Sequence, residues 1–172
     1  MVMPKILFRE CLAPTTRPTT KPTTFIPPMS TVIFYEKPGC INNTKQKALL
    51  TAAGHTVDVR NLLTEPWTPD RLQQFFGDRP IAQCFNRTAP AIKSGQMQLD
   101  RVDVETALAL MVQEPLLIRR PLMQVGDRCE VGFDKDAVNQ WIGLKAVEGE
   151  QEKRDRLIQQ DLETCPTATA TV

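Results

Sequence analysis

The chain has 172 residues, with 21 Lys and Arg against 20 Asp and Glu and 41% apolar residues, which fits a soluble globular protein with one compact core. A formal net charge of +1 leaves no global field to hold a polyanion, so direct nucleic-acid binding and a polybasic membrane anchor are disfavoured. The best apolar run, Ala107 to Val112, stops far short of the roughly 20 residues a bilayer core requires, so no membrane span is expected.

Six of the 14 prolines fall in the first 28 residues, where PTTR, PTTK and PTTF follow one another from Pro14. Proline without apolar periodicity favours extended chain, so residues 1–29 are expected to form a disordered Thr/Pro-rich leader. Ile6-Leu7-Phe8 begins like a secretory signal, but Arg9 and Glu10 end the run well before the roughly 7 to 15 apolar residues a signal requires. The bases Lys5, Arg9, Arg17 and Lys21 would suit a transit peptide, yet a plain tail is the better reading. Met29-Ser30 directly precedes the first strand-like run, as if an upstream in-frame start had added residues 1–28.

Thr31 to Tyr35 is a β-branched and aromatic run that stops at Pro38-Gly39, as a buried strand ends in a turn. A helix is expected over Ile41 to Ala53, closing on Gly54, and His55 to Val59 alternates as a second strand parallel to the first. Thr68-Pro69-Asp70 has the N-cap, N1 proline and first-turn acid that open a helix running through Leu72, Phe75 and Phe76. Pro80 to Phe85 reads as a short second helix, and Asp103 caps a third across Val104 to Met111. Leu116 to Ile118 and Leu122 to Val125 are strand-like, Gly126-Asp127-Arg128 turns the chain into Cys129 to Phe133, and Asp136 to Ile142 forms an amphipathic helix. Gly143 to Thr164, rich in charge with sparse apolar residues, reads as a solvated helix rather than a core element, with a frayed end from Pro166.

Five cysteines at 11, 40, 84, 129 and 165, with no CxxC pair and no close His partner, imply neither a disulfide framework nor a zinc site and suit a reducing cytoplasm. Cys40 stands apart, because the turn Lys37-Pro38-Gly39 delivers it to a helix N-terminus. There the backbone N–H groups and helix dipole favour a thiolate and a bound oxyanion, so Gly39, Asn43 and Thr44, with Pro121, are candidate oxyanion- or substrate-binding positions. Lys37 and Lys45 add positive potential. Cys84 could resolve an adduct on Cys40 but is better read as packing, Cys129 as core, and His55 as a satisfied or exposed strand-end residue. Arg120 could offer a bidentate fork to an oxyanion beside Cys40, although Arg119-Arg120 also reads as two surface arginines, and Arg87 is a weaker candidate.

The order β-α-β, a helical block, then β-β-α resembles a thioredoxin-like α/β fold with a helical insertion, and in such a fold Pro121 would be a cis proline packed against the Cys40 turn. VIFYEKPGC, FNRTAPAIKSG and EPLLIRRPLMQVGDRCEVGF together resemble the ArsC/Spx-like branch of that fold, and more narrowly the subgroup of nitrogenase-associated proteins, over residues 30–142. The resemblance implies Cys40 as nucleophile and Arg120 and Arg87 as catalytic arginines. It implies no bound cofactor or metal, and glutathione or glutaredoxin as reductant. Residues 143–172 then form a charged helix and tail outside the domain.

Two departures from the pattern bear on function. Asn43 stands where some relatives have the second Cys of CxxC, so no local redox disulfide forms. Val131-Gly132-Phe133-Asp134 lacks a third arginine that arsenate reductases carry after the final hairpin, which counts against arsenate reduction. The expected function is a monothiol reductase of an oxyanion or disulfide, acting as a cytoplasmic monomer with glutaredoxin, glutathione or a nitrogen-fixation protein as partner. The alternative is a non-catalytic thioredoxin-fold binding or regulatory protein associated with nitrogen fixation or transcription.

Overall fold

Alternation along the first strand, β1 (Thr31–Glu36), divides the core: Val32 and Phe34 enter one apolar cluster, Tyr35 the other. The computed structural model describes residues 29–163 apart from Gln96, so the expected leader, Cys11, Cys165 and the frayed end lie outside the described residues. Helix α1 (Ile41–Ala52) returns the chain to β2 (Thr56–Asn61), which pairs parallel with β1 from Thr31↔Thr56 to Glu36↔Asn61. The second half supplies β3 (Leu122–Val125) and β4 (Arg128–Val131), both antiparallel to their neighbours, so the sheet order is β2-β1-β3-β4. This is the expected β-α-β and β-β-α arrangement of a thioredoxin-like fold.

On one face of the sheet α1 and α5 (Lys135–Trp141) bury Leu49, Leu50, Val138 and Trp141 against Val32, Phe34 and Met123. The insertion covers the other face with α2 (Pro69–Phe76), α3 (Pro90–Lys93) and α4 (Val104–Gln113), packing Leu72, Phe75, Phe76 and Met111 around Tyr35 and Leu122. Thr68, Asp103 and Asp134 cap α2, α4 and α5 by accepting from the third N–H of each, which satisfies donors the helices leave open. His55 is buried, accepting from the Ser30 N–H at Nδ1 and donating from Nε2 to the Gly143 carbonyl at 2.8 Å, so it ties together the strand starts and the end of α5.

Three expectations are corrected. Pro80 to Phe85 forms only a 3₁₀ turn over Ile81–Gln83, because the chain straightens to pair Phe85 antiparallel with Ile118. Leu116 to Ile118 is no strand: the N–H groups of Leu117 and Ile118 close back on Glu114 and Pro115 in a 3₁₀ turn, Pro115–Leu117. Across residues 143–163 the one α-helix is α6 (Gln151–Ile158), which fully buries no residue but lays the half-buried Leu157 on the α1/α5 core, and Leu144 and Leu162 on either side of it are 0% and 1% exposed within that core. Helical periodicity hid this, because both anchors lie in irregular backbone outside α6.

If residues 144–162 are part of the core, Leu162→Ala costs about 2–4 kcal/mol in urea unfolding. A solvated appendage would lose under about 0.5 kcal/mol.

Candidate functional site

Cys40 is the N-cap of α1. Its N–H closes the preceding turn on the Lys37 carbonyl at 3.2 Å, and Gly39 supplies the left-handed step at φ +78° that brings the chain round. The Cys40 side chain makes no capping bond, so its sulfur is free for other chemistry at a helix start, and the residue is part-exposed. The Thr44 N–H and hydroxyl both donate to the Cys40 carbonyl, at 3.1 and 3.2 Å, which holds the first turn closed.

Facing Cys40 are two segments far apart in sequence. The Asn86 N–H donates to the Leu117 carbonyl at 2.7 Å and the Arg119 N–H to the Cys84 carbonyl at 2.8 Å, on either side of the Phe85↔Ile118 bridge. Asn86 also donates from Nδ2 to the Leu116 carbonyl and accepts at Oδ1 from both the N–H and hydroxyl of Thr88, an Asx turn that positions Arg87 between them. The Arg120-Pro121 bond is cis, as expected, and the Pro121 carbonyl accepts from Gly132 N–H at 2.8 Å.

These segments enclose a cavity of about 470 Å³ whose wall includes Cys40, Asn43, Arg87, Arg119 and Arg120. Among the sequence-derived candidates, Cys40, Asn43, Arg87 and Arg120 therefore come together. Gly39, Thr44 and Pro121 shape the site from behind and do not line it, and neither do Lys37 and Lys45. The positive charge of the wall comes from three arginines, and Arg120 Nη1 is buried with no hydrogen-bond partner among the described residues.

Sequence reasoning passed over the rest of the wall. Asn43 Nδ2 donates to Gln46 Oε1 at 2.8 Å, and Gln46 Nε2 donates to the Leu162 carbonyl at 2.6 Å, which draws the C-terminal segment to the cavity. Arg119 Nη2 meets Glu163 Oε1 at 2.8 Å. The usable signal for Arg119 was a glycine, Gly132, across the sheet from the arginine pair. A lone glycine beyond a hairpin strand marks close approach.

The other described thiols are unsuited to partner Cys40. Burial pushes the Cys84 thiol up to about 11 against the opposing pull of Arg79 and Arg119, and its S–H points to the Pro80 carbonyl, 3.8 Å away. Burial likewise raises Cys129, which packs on the insertion core. Cys84 is packing, as first read. Among the described residues no helix is long and apolar enough to cross a membrane.

A family model described as ArsC family matches residues 19–141. An uncharacterized 15.7 kDa protein in the draG 3′ region of Rhodospirillum rubrum is 49% identical over 139 residues, covering 81% of this chain and 90% of that protein. The global transcriptional regulator Spx of Lactiplantibacillus plantarum is 25% identical over 66% of this chain and 88% of its own length. An arsenate reductase from Vibrio cholerae has a similar structure, with a TM-score of 0.54 at 18% identity over 68% of this chain and 99% of that one, a likeness of fold.

In the folded chain at pH 8, well below the value of about 11 at which Cys84 ionises, iodoacetamide labels Cys40 and leaves Cys84 untouched until urea unfolds the protein. Peptide mass mapping before and after unfolding checks this; labelling of native Cys84 at the Cys40 rate would contradict the assignment.

Proposed function

The chain belongs to the ArsC family, and on that premise we propose that it is a monothiol reductase in which Cys40 attacks an oxyanion or a disulfide and glutathione or glutaredoxin restores the thiol. The observation that carries the reading is the shared cavity, in which the sulfur at a helix start meets Arg87 and Arg120, the latter with a buried N–H atom that lacks a partner. A buried unpaired guanidinium nitrogen is costly unless a ligand satisfies it, and an anion does so best.

With a disulfide, the Cys40 thiolate bonds to one sulfur, the substrate S–S bond breaks, and the second sulfur leaves with the electron pair. A glutathione thiolate then attacks the substrate-derived sulfur and releases the Cys40 thiolate. With an oxyanion, Cys40 bonds to the central atom and one oxygen leaves as water. A glutathione thiolate next attacks the Cys40 sulfur, and the bonding pair passes to the central atom, which departs reduced by two electrons. Glutaredoxin reduces the remaining Cys40–glutathione disulfide. In both routes Arg120 and Arg87 compensate the negative charge that develops beside Cys40.

A second reading, a binding or regulatory protein without turnover, is favoured by one observation. Asn43 replaces a local partner thiol and Cys84 is buried away from the cavity wall, so the chain holds no resolving cysteine of its own among the described residues. Under this reading the partner is a nitrogen-fixation or transcription protein.

Turnover of arsenate and of hydroxyethyl disulfide with glutathione and glutaredoxin separates the two. Under the reductase reading Cys40→Ser falls to background and Arg120→Gln loses about 10²-fold in kcat. Equal rates for wild type and Cys40→Ser on both substrates would remove the reductase reading and leave the binding protein.

A further inference from the structure

Arg119 has no role in the chemistry above, yet its guanidinium is built into the same wall. A Cβ on Gly132 would lie 2.8 Å from Arg119 Nε and 2.9 Å from Cζ, so the absence of a side chain there makes the seat, and Gly132 itself adopts φ +82°. The seated guanidinium keeps 30% exposure and has two partners, the Gln83 carbonyl at 3.4 Å and the Glu163 carboxylate at 2.8 Å. Glu163 is the one carboxylate lining the cavity among the described residues, and it is itself 44% exposed. Its position is set by its neighbour, because Leu162 is buried in the core and its carbonyl accepts from Gln46.

We propose that Arg119 is a second anion-binding residue of the Cys40 cavity and that Glu163 occupies it as an internal competitor, which a carboxylate of the substrate displaces. The proposal rests on Cys40 being the reacting thiol. Three facts on the wall point to it. A half-exposed ion pair contributes little stability, so exchanging one carboxylate for another is close to neutral in free energy. Arg120 differs, with a buried nitrogen that lacks a partner and takes an anion without exchange. A cavity of about 470 Å³ also holds far more than a small oxyanion, since a water occupies roughly 30 Å³ of liquid. The substrate class is therefore one that carries a carboxylate several atoms from the group attacked by Cys40.

Two thiol reagents of like size test this on the full chain. 3-Maleimidopropionate carries such a remote carboxylate and N-ethylmaleimide carries none; with either, sulfur adds to one alkene carbon and a proton to the other. The ratio of their rates at Cys40, read by peptide mass mapping, reports carboxylate preference independently of intrinsic thiol reactivity. Arg119→Gln lowers the ratio about threefold to fivefold, and Glu163→Gln raises it by a similar factor. In Arg119→Gln/Glu163→Gln the gain from removing Glu163 disappears, because there is no longer a site to vacate. An equal gain in both backgrounds would make Glu163 a mere surface charge and overturn the proposal, as would a ratio indifferent to Arg119. A chain whose Cys40 resists N-ethylmaleimide would instead overturn the reacting-thiol reading beneath it, and this proposal with it. Because Glu163→Gln alters an exposed side chain, its result stands even if Arg119→Gln perturbs folding.

Discussion

The hydrogen bonds that join residues 84–86 to 116–119 hold the site together. They are few, with Asn86 N–H on Leu117, Arg119 N–H on Cys84, and the Asn86 side chain on Leu116. They connect the insertion to the entry of β3, and so carry Arg87 on one segment and Arg119 and Arg120 on the other to the turn that presents Cys40. Without them the sulfur would face two unrelated loops. The apolar cluster around Phe85, Leu117 and Ile118, all almost fully buried, packs directly beside these bonds and supports them.

Charge around Cys40 follows from that arrangement. The sequence assigned positive potential to Lys37 and Lys45 because they are neighbours in the chain, but the cavity takes its cations from arginines 47 to 80 positions away. Guanidinium suits the task better than ammonium, since its planar fork matches a carboxylate or oxyanion and it stays ionised when half-buried. A third guanidinium, missing from the stretch after the final hairpin, reaches the cavity wall from Arg119 over the space that Gly132 leaves open.

The C-terminal segment is the other element that local patterning misjudged. Its charged helix exposes most of its side chains but rests Leu157 on the α1/α5 core, and Leu144 and Leu162 clamp the flanking chain into that core and bring Glu163 to the cavity mouth. Lys135 Nζ donates to the Ile158 and Gln160 carbonyls, and Arg154 to the Leu144 carbonyl, so charged side chains tie down the backbone of a segment that lacks apolar periodicity.

By itself the sequence determined the elements with a local cause. The run Thr31 to Tyr35, the caps at Thr68 and Asp103, and the turn that offers Cys40 to α1 all depend on residues within a few positions of one another, and each was legible. Only the tertiary structure decided which charges meet the sulfur, that Pro80 to Phe85 and Leu116 to Ile118 abandon regular structure to pair with each other, and that Leu162 belongs to the core. Those outcomes rest on contacts between residues tens of positions apart, where a backbone donor or a missing Cβ is worth as much as any side chain, and neither leaves a periodic mark on the chain.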